Sequence, residues 1–346
     1  MKTKTKQKSI ILFFIFLGFL SCTKVKQGCD NSNLQTNSDS ITTKDSLVLP
    51  KGAYPIWLDE GNRIIAKFLV NDSIEATAFI ETGTQNTSFS ESFIRKLNMV
   101  LDSSITFTSN YAASQNERIR YRTQDSIKIN DRYFGKGVRV RSSGGVNADM
   151  DIEFPLVDFS EIVELNIKGG YLKKLDREEL DSICLEENVF SFDMRGTRYE
   201  FFSIEAKLEV FDTLGIKEEI FGSFLLDTGS AMPVVIHLNS AEGRSFFQKT
   251  ERMELRDTAR IKNPGYPQLK VLETDKVRLF ENICISNIDY IFGIGSGLDN
   301  YFKRHNIIGL LGAPLYKDFI VIFDYDRKKL YLKPNNDAAI MICENN

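Results

Sequence analysis

One short pattern occurs twice in this chain, and it limits the possible folds more than any other feature. Ala78-Phe79-Ile80-Glu81-Thr82-Gly83-Thr84 in the first half is answered by Phe224-Leu225-Leu226-Asp227-Thr228-Gly229-Ser230 in the second, 146 positions later. Each copy reads as an apolar strand that follows a turn, ends in a carboxylic acid and reverses at Thr-Gly. Glycine has no Cβ, so at such a point the chain can turn and a partner backbone can come close. A duplicated strand-acid-turn unit at this spacing predicts two repeats of similar size, each presenting one carboxylate.

The surrounding sequence predicts mostly strands. Arg63 to Val70, a polar turn at Asn71-Asp72-Ser73, and Ile74 to Ile80 alternate in the way of a β-hairpin. Similar runs fall at Ser104–Ser109, Arg118–Ile129, Gly137–Arg141, Arg198–Val210, Ile220–Leu226 and Asp275–Phe280. Helices are expected only in short pieces, Ser90 to Leu97 and Arg177 to Cys184. Near the end, Ile307-Ile308-Gly309-Leu310-Leu311-Gly312 and the hairpin Phe319–Asp326 with Lys329–Leu332 supply a Gly-flanked apolar turn and a closing strand pair.

With these residues in place, the chain resembles the pepsin and retropepsin superfamily of aspartic proteases, in particular its bacterial two-domain members. The resemblance runs from about Asn62 to Lys333. It implies an all-β, bilobal, pseudo-symmetric fold of β-barrel lobes with few short helices, one lobe over residues 47–185 and the other over 186–346. It further implies an aspartic-type endopeptidase acting on a peptide or protein substrate, with Asp227 and Glu81 flanking a catalytic water and no cofactor or metal. In that family Thr82 and Thr228 would tie the two loops together by hydroxyl-to-backbone bonds, and Gly83, Thr84, Gly229 and Ser230 would shape them, with Thr84 and Ser230 orienting the carboxylates. Gly312 would pack against the second loop, and a flap over Asn110 to Glu117, holding Tyr111, would cover the cleft. Two carboxyl groups within hydrogen-bonding distance share one proton, because both cannot ionise together. One then acts as a base toward water while the other donates to the scissile carbonyl.

Two features depart from that pattern. The first loop carries Glu81 rather than Asp, and one methylene extends the carboxyl by roughly 1.5 Å. The stretch Asp151-Ile152-Glu153-Phe154-Pro155-Leu156-Val157-Asp158, where the first repeat should hold an apolar pair and a Gly, has no Gly, so a bulkier residue is expected to crowd the loop. The alternative reading is a catalytically inactive, protease-like peptide-binding protein.

The N-terminus adds an address. Lys2, Lys4, Lys6 and Lys8 precede an apolar run from Ile10 to Leu20 and then Ser21-Cys22. That run is too short for a membrane-spanning helix, which needs ~20 residues, and reads as a secretory signal over residues 1–22. A cysteine directly after a small residue at its end resembles a bacterial lipobox, with Cys22 the lipidated residue. Residues 23–46, poor in large apolar side chains, read as a flexible tether. The expected location is the cell envelope, lipid-anchored and facing the periplasm, the outer membrane preferred and the inner left open. Cys29, Cys184, Cys284 and Cys343 then leave three disulfide pairings open. None has metal-ligand spacing, and His237 and His305 lack a partner at i+3 to i+5. The 44 basic and 47 acidic residues are well mixed, which argues against a nucleic-acid partner.

Overall fold

The computed structural model describes residues 49–346 apart from 112–113, 124–125, 135–137, 142–148, 198–200, 213, 255–268, 275, 280–282, 286–287, 296–298, 336–339 and 343–346. The signal, Cys22 and the tether lie outside the described residues. Among those described, no helix is long and apolar enough to cross a membrane.

The first repeat is built on the antiparallel pair Ile64–Val70 and Ile74–Glu81. Asn71 and Asp72 close it at φ +50° and +61°, the left-handed region that Asn and Asp tolerate best among non-glycine residues. Strand Ile152–Pro155 lies parallel to the second of these, flanked by Ser88–Ser90, then Arg139–Arg141 and Ser114–Thr123. The second repeat copies this order. Ser203–Phe211 pairs with Lys217–Asp227, which lies parallel to Ile307–Gly312, flanked by Val234–His237, then Tyr290–Ile294 and Leu269–Glu273. The inward positions are apolar and closed to solvent, among them Ile64, Ala78, Ile80 and Phe89 in one half and Phe224, Leu226, Val234 and Ile236 in the other.

A six-stranded antiparallel sheet joins the halves. Its order is Ala53–Leu58, Tyr171–Lys174, Ile162–Asn166, Phe319–Asp324, Lys329–Pro334 and Phe190–Arg195, three strands from each repeat. The central pair sets Leu165 against Val321 and Val163 against Phe323, all fully buried. Arg177, on helix Arg177–Ile183, pairs with the buried Asp324, so the connection between repeats is tied to the far half. That helix starts on a capping box between Asp176 and Glu179.

Both expected helices are present, as Glu91–Lys96 and Arg177–Ile183. Ala241–Lys249, Asp299–His305 and Ala313–Tyr316 are helical as well, where strand and turn were expected. Ala241–Lys249 begins at a Ser240 N-cap and buries Phe246 and Phe247, so its apolar side is only two rings wide. The entering strand pairs Trp57 with Ile65, yet Trp57 stays 41% exposed and does not close the core. Among the described residues Cys184 is a free, exposed thiol; Cys29, Cys343 and the Cys284 side chain lie outside them.

Candidate active site

Each acid sits at the last position of a buried strand, opposite the end of the parallel strand beside it. Leu226 faces Leu311 and Asp227 faces Gly312; in the first repeat Ile80 faces Phe154 and Glu81 faces Pro155. The apolar strand interiors fix the ends, and the ends aim both acids at the junction between the two halves.

The threonines that follow hold that junction. Thr82 N–H donates to Thr228 Oγ1 at 3.0 Å, and Thr228 N–H donates to Thr82 Oγ1 at 2.9 Å. Thr82 Oγ1–H in turn donates to the Leu226 carbonyl at 2.6 Å. Thr228 is wholly buried and Thr82 nearly so, which removes competing water.

The glycines that come next leave room for the opposite acid. A methyl on Gly83 would overlap Asp227 Oδ1 and sit 2.7 Å from its Cγ; a methyl on Gly229 would overlap Glu81 Oε2 and lie 3.1 Å from Asp227 Oδ1. Both carboxyl groups therefore meet in one small space, each lying over the other half's loop. Neither glycine has a positive φ, so the requirement here is for space and not for unusual backbone. The Phe79 ring closes the same space, its Cζ 3.1 Å from where a methyl on Gly229 would lie.

Burial pushes Asp227 up to about 6, against the opposing pull of the Gly229 and Ser230 backbone amides. Gly229 N–H donates to Asp227 Oδ1 at 3.0 Å. A carboxyl raised this far still holds its proton in mildly acidic solution and can donate a hydrogen bond there, the property an acid partner needs.

Several residues stand differently from the sequence reading. Ser230 Oγ accepts from Met232 N–H and donates to Met232 C=O, both at 3.2 Å, so it braces its own turn and does not orient the carboxylate. Thr84 lines a small cavity with Thr82, Pro155, Leu156, Val157, Phe202 and Tyr325, a space with room for about one water molecule. The crowding expected without a Gly is absent there. Gly312 N–H donates to Pro233 C=O at 2.9 Å, and a Cβ there would overlap Met232 C=O. Leu101–Tyr111 and Ser114–Thr123 form a long hairpin with Tyr111 paired to Ser114, and residues 112–113 of the expected flap lie outside the described residues.

Sequence reasoning missed two groups near the acids. Tyr316 is fully buried, donates to Leu311 C=O at 3.3 Å, and is held protonated by burial and by the charge of Asp227. Glu153, register partner of Phe79, is also buried; Ser88 Oγ donates to it at 2.8 Å and Arg141 pairs with it at 3.3 Å. The corresponding places in the second repeat hold Leu310, Val235 and Ile294, an apolar cluster. The signal for Glu153 was an acid within an otherwise apolar strand.

Comparison with solved structures matches this architecture. An aspartic proteinase from Irpex lacteus superposes with a TM-score of 0.52 at 12% identity, covering 82% of this chain and 97% of that one. Conglutin gamma, a basic 7S globulin from lupine seeds, superposes with a TM-score of 0.50 at 10% identity, covering 82% and 94%. The chain has the pepsin-like fold. No protein-family model matches it, and no curated protein does.

Proposed function

We propose that this protein is an aspartic-type endopeptidase anchored by lipid in the cell envelope, with Glu81 and Asp227 as its carboxyl pair. The observation that carries the reading is the crossing of the two carboxyls, each lying against the glycine of the opposite loop. In the proposed cycle the pair holds one proton and a water between them. One carboxylate takes a proton from the water as it attacks the scissile carbonyl, and the other donates to the carbonyl oxygen. The roles then reverse as the amine departs. Substrate lies extended across the junction, held by main-chain hydrogen bonds under the hairpin whose tip pairs Tyr111 with Ser114.

A second reading is a peptide-binding protein that does not cut. Glu81 favours it, because an acid one methylene too long shifts the centre, and a shift of about 1 Å can cost on the order of 100-fold in rate. The fold does not decide, since it serves a proteinase and a seed globulin alike.

The deciding experiment incubates the detergent-purified protein with a diverse peptide mixture from acid to neutral pH, beside Asp227→Asn, and follows cleavage by mass spectrometry. Cleavage lost in the variant supports the peptidase. Peptides retained uncut by folded protein support the binding module. Separately, Cys22→Ser is expected to move the protein out of the membrane fraction; unchanged fractionation removes the anchor.

A further inference from the structure

The two repeats differ in packing at the residues that face the acids. On the second side the loop is clamped to its strand: Gly312 N–H donates to Pro233 C=O at 2.9 Å and Ala313 N–H donates to Ser230 C=O at 3.0 Å. A Cβ on Gly312 would also lie 2.8 Å from Ser230 C=O, so only glycine allows this approach. On the first side the facing residue is Pro155, buried, with a ring and no N–H to give. There the loop and strand end enclose the water-sized cavity lined by Thr82, Thr84 and Tyr325.

The acids themselves show what this difference does. The reciprocal Thr82–Thr228 bonds, 3.0 and 2.9 Å, hold the residues after the two acids in matched positions. An acid longer by roughly 1.5 Å should then reach farther across. It does not: Glu81 Oε2 enters the space over Gly229 to nearly the same depth as Asp227 Oδ1 enters that over Gly83. The extra methylene is taken up on the Glu81 side, and the slack beside that loop is at Pro155.

We propose that Pro155 is a positioning residue for Glu81: by withholding the amide and the close approach that glycine gives, it leaves the first loop without the backbone clamp of the second, tied farther on by Thr87 Oγ1–H donating to Asp158 at 2.7 Å, so that glutamate presents its carboxyl where aspartate would otherwise stand. The proposal rests on Glu81 and Asp227 forming a working pair, and it makes acid length and loop clamp a matched set. Asp with Gly works, Glu with Pro works, and the mixed combinations fail.

The test is a double-mutant cycle on the full-length protein with Glu81→Asp, Pro155→Gly and the two together. Each single change is expected to lower kcat/KM by roughly 100-fold through misplacement. The double variant is expected to recover to within about tenfold of the parent, a coupling that contacting residues show and independent ones do not. If the losses simply multiply, the inference is wrong. Should Pro155→Gly fail to fold alone, the double variant is compared directly with Glu81→Asp: recovery of rate above Glu81→Asp upholds the matched set, and no recovery overturns it. Where the parent cuts no peptide, the cycle is read from urea unfolding midpoints: coupled midpoints uphold the matched pair while the peptidase reading falls, and additive midpoints overturn the matched pair as well.

Discussion

Thr82 and Thr228, 146 residues apart, trade backbone amide for hydroxyl in both directions, at 3.0 and 2.9 Å. This exchange is a direct polar tie between the two acid loops, and both threonines are buried.

Removing either hydroxyl therefore strands the amide of the other threonine. Thr228→Val is expected to destabilise the fold by about 1–3 kcal/mol, the cost of a buried donor left unsatisfied. Thr82→Val should cost more, because Thr82 Oγ1 also serves the Leu226 carbonyl. The double variant should fall short of the sum, since both changes break one network. Urea unfolding of the four proteins measures this, and strict additivity would contradict the shared tie.

Asp227 gives the site a pH signature. Its folded value of about 6 stands above the ~4 of an unfolded aspartate, so the native state holds the proton more tightly. Stability from this group is full below that window and declines as pH rises from about 4 through about 6, by up to about 3 kcal/mol. Asp227→Asn should remove that decline and be the more stable protein at pH 7. In the active protein, kcat/KM should fall above pH about 6 as the shared proton leaves the pair. Unfolding midpoints and rate profiles taken across pH 3 to 8 check both statements.

The glycines make a sharper demand than the acids. Gly229→Ala places a methyl against Glu81 Oε2, and Gly83→Ala places one against Asp227 Oδ1. Since neither position needs a positive φ, the backbone tolerates alanine and the damage falls on the carboxyls. Activity is expected to drop about 100-fold or more in each, with thermal unfolding little changed. A loss of fold in place of a loss of rate would show that the glycines serve the backbone after all.

The repeat and the strand ends were legible because apolar runs ending in Glu81 and Asp227 leave few alternatives for chain direction; the bonding of the two threonines came only from the resemblance. Other features depend on which strands become neighbours. That Pro155 faces Glu81 follows from a parallel pairing across more than seventy residues, which no local pattern encodes. Helix Ala241–Lys249 was hidden because Ser, Gly and Gln dilute its apolar side. Arg141 and Glu153 stand twelve residues apart in the chain, and only the sheet order brings them together, with the Met150 carbonyl accepting from Arg141 at 2.9 Å.

That buried pair supplies a final prediction, because the second repeat shows what can stand in its place. Arg141→Ile alone leaves Glu153 a buried carboxylate without its guanidinium, and is expected to cost about 3–5 kcal/mol. Replacing the whole set, Ser88→Val with Arg141→Ile and Glu153→Leu, installs the residue types found at Val235, Ile294 and Leu310. Apolar side chains that fill a site built for an ion pair are often neutral or stabilising, because no charge then has to leave water. The triple variant should therefore unfold at a urea concentration close to that of the parent, despite three changes in one strand cluster. If it is as unstable as Arg141→Ile, the polar network shapes the first repeat in a way its apolar counterpart cannot, and the likeness of the two halves stops at the backbone.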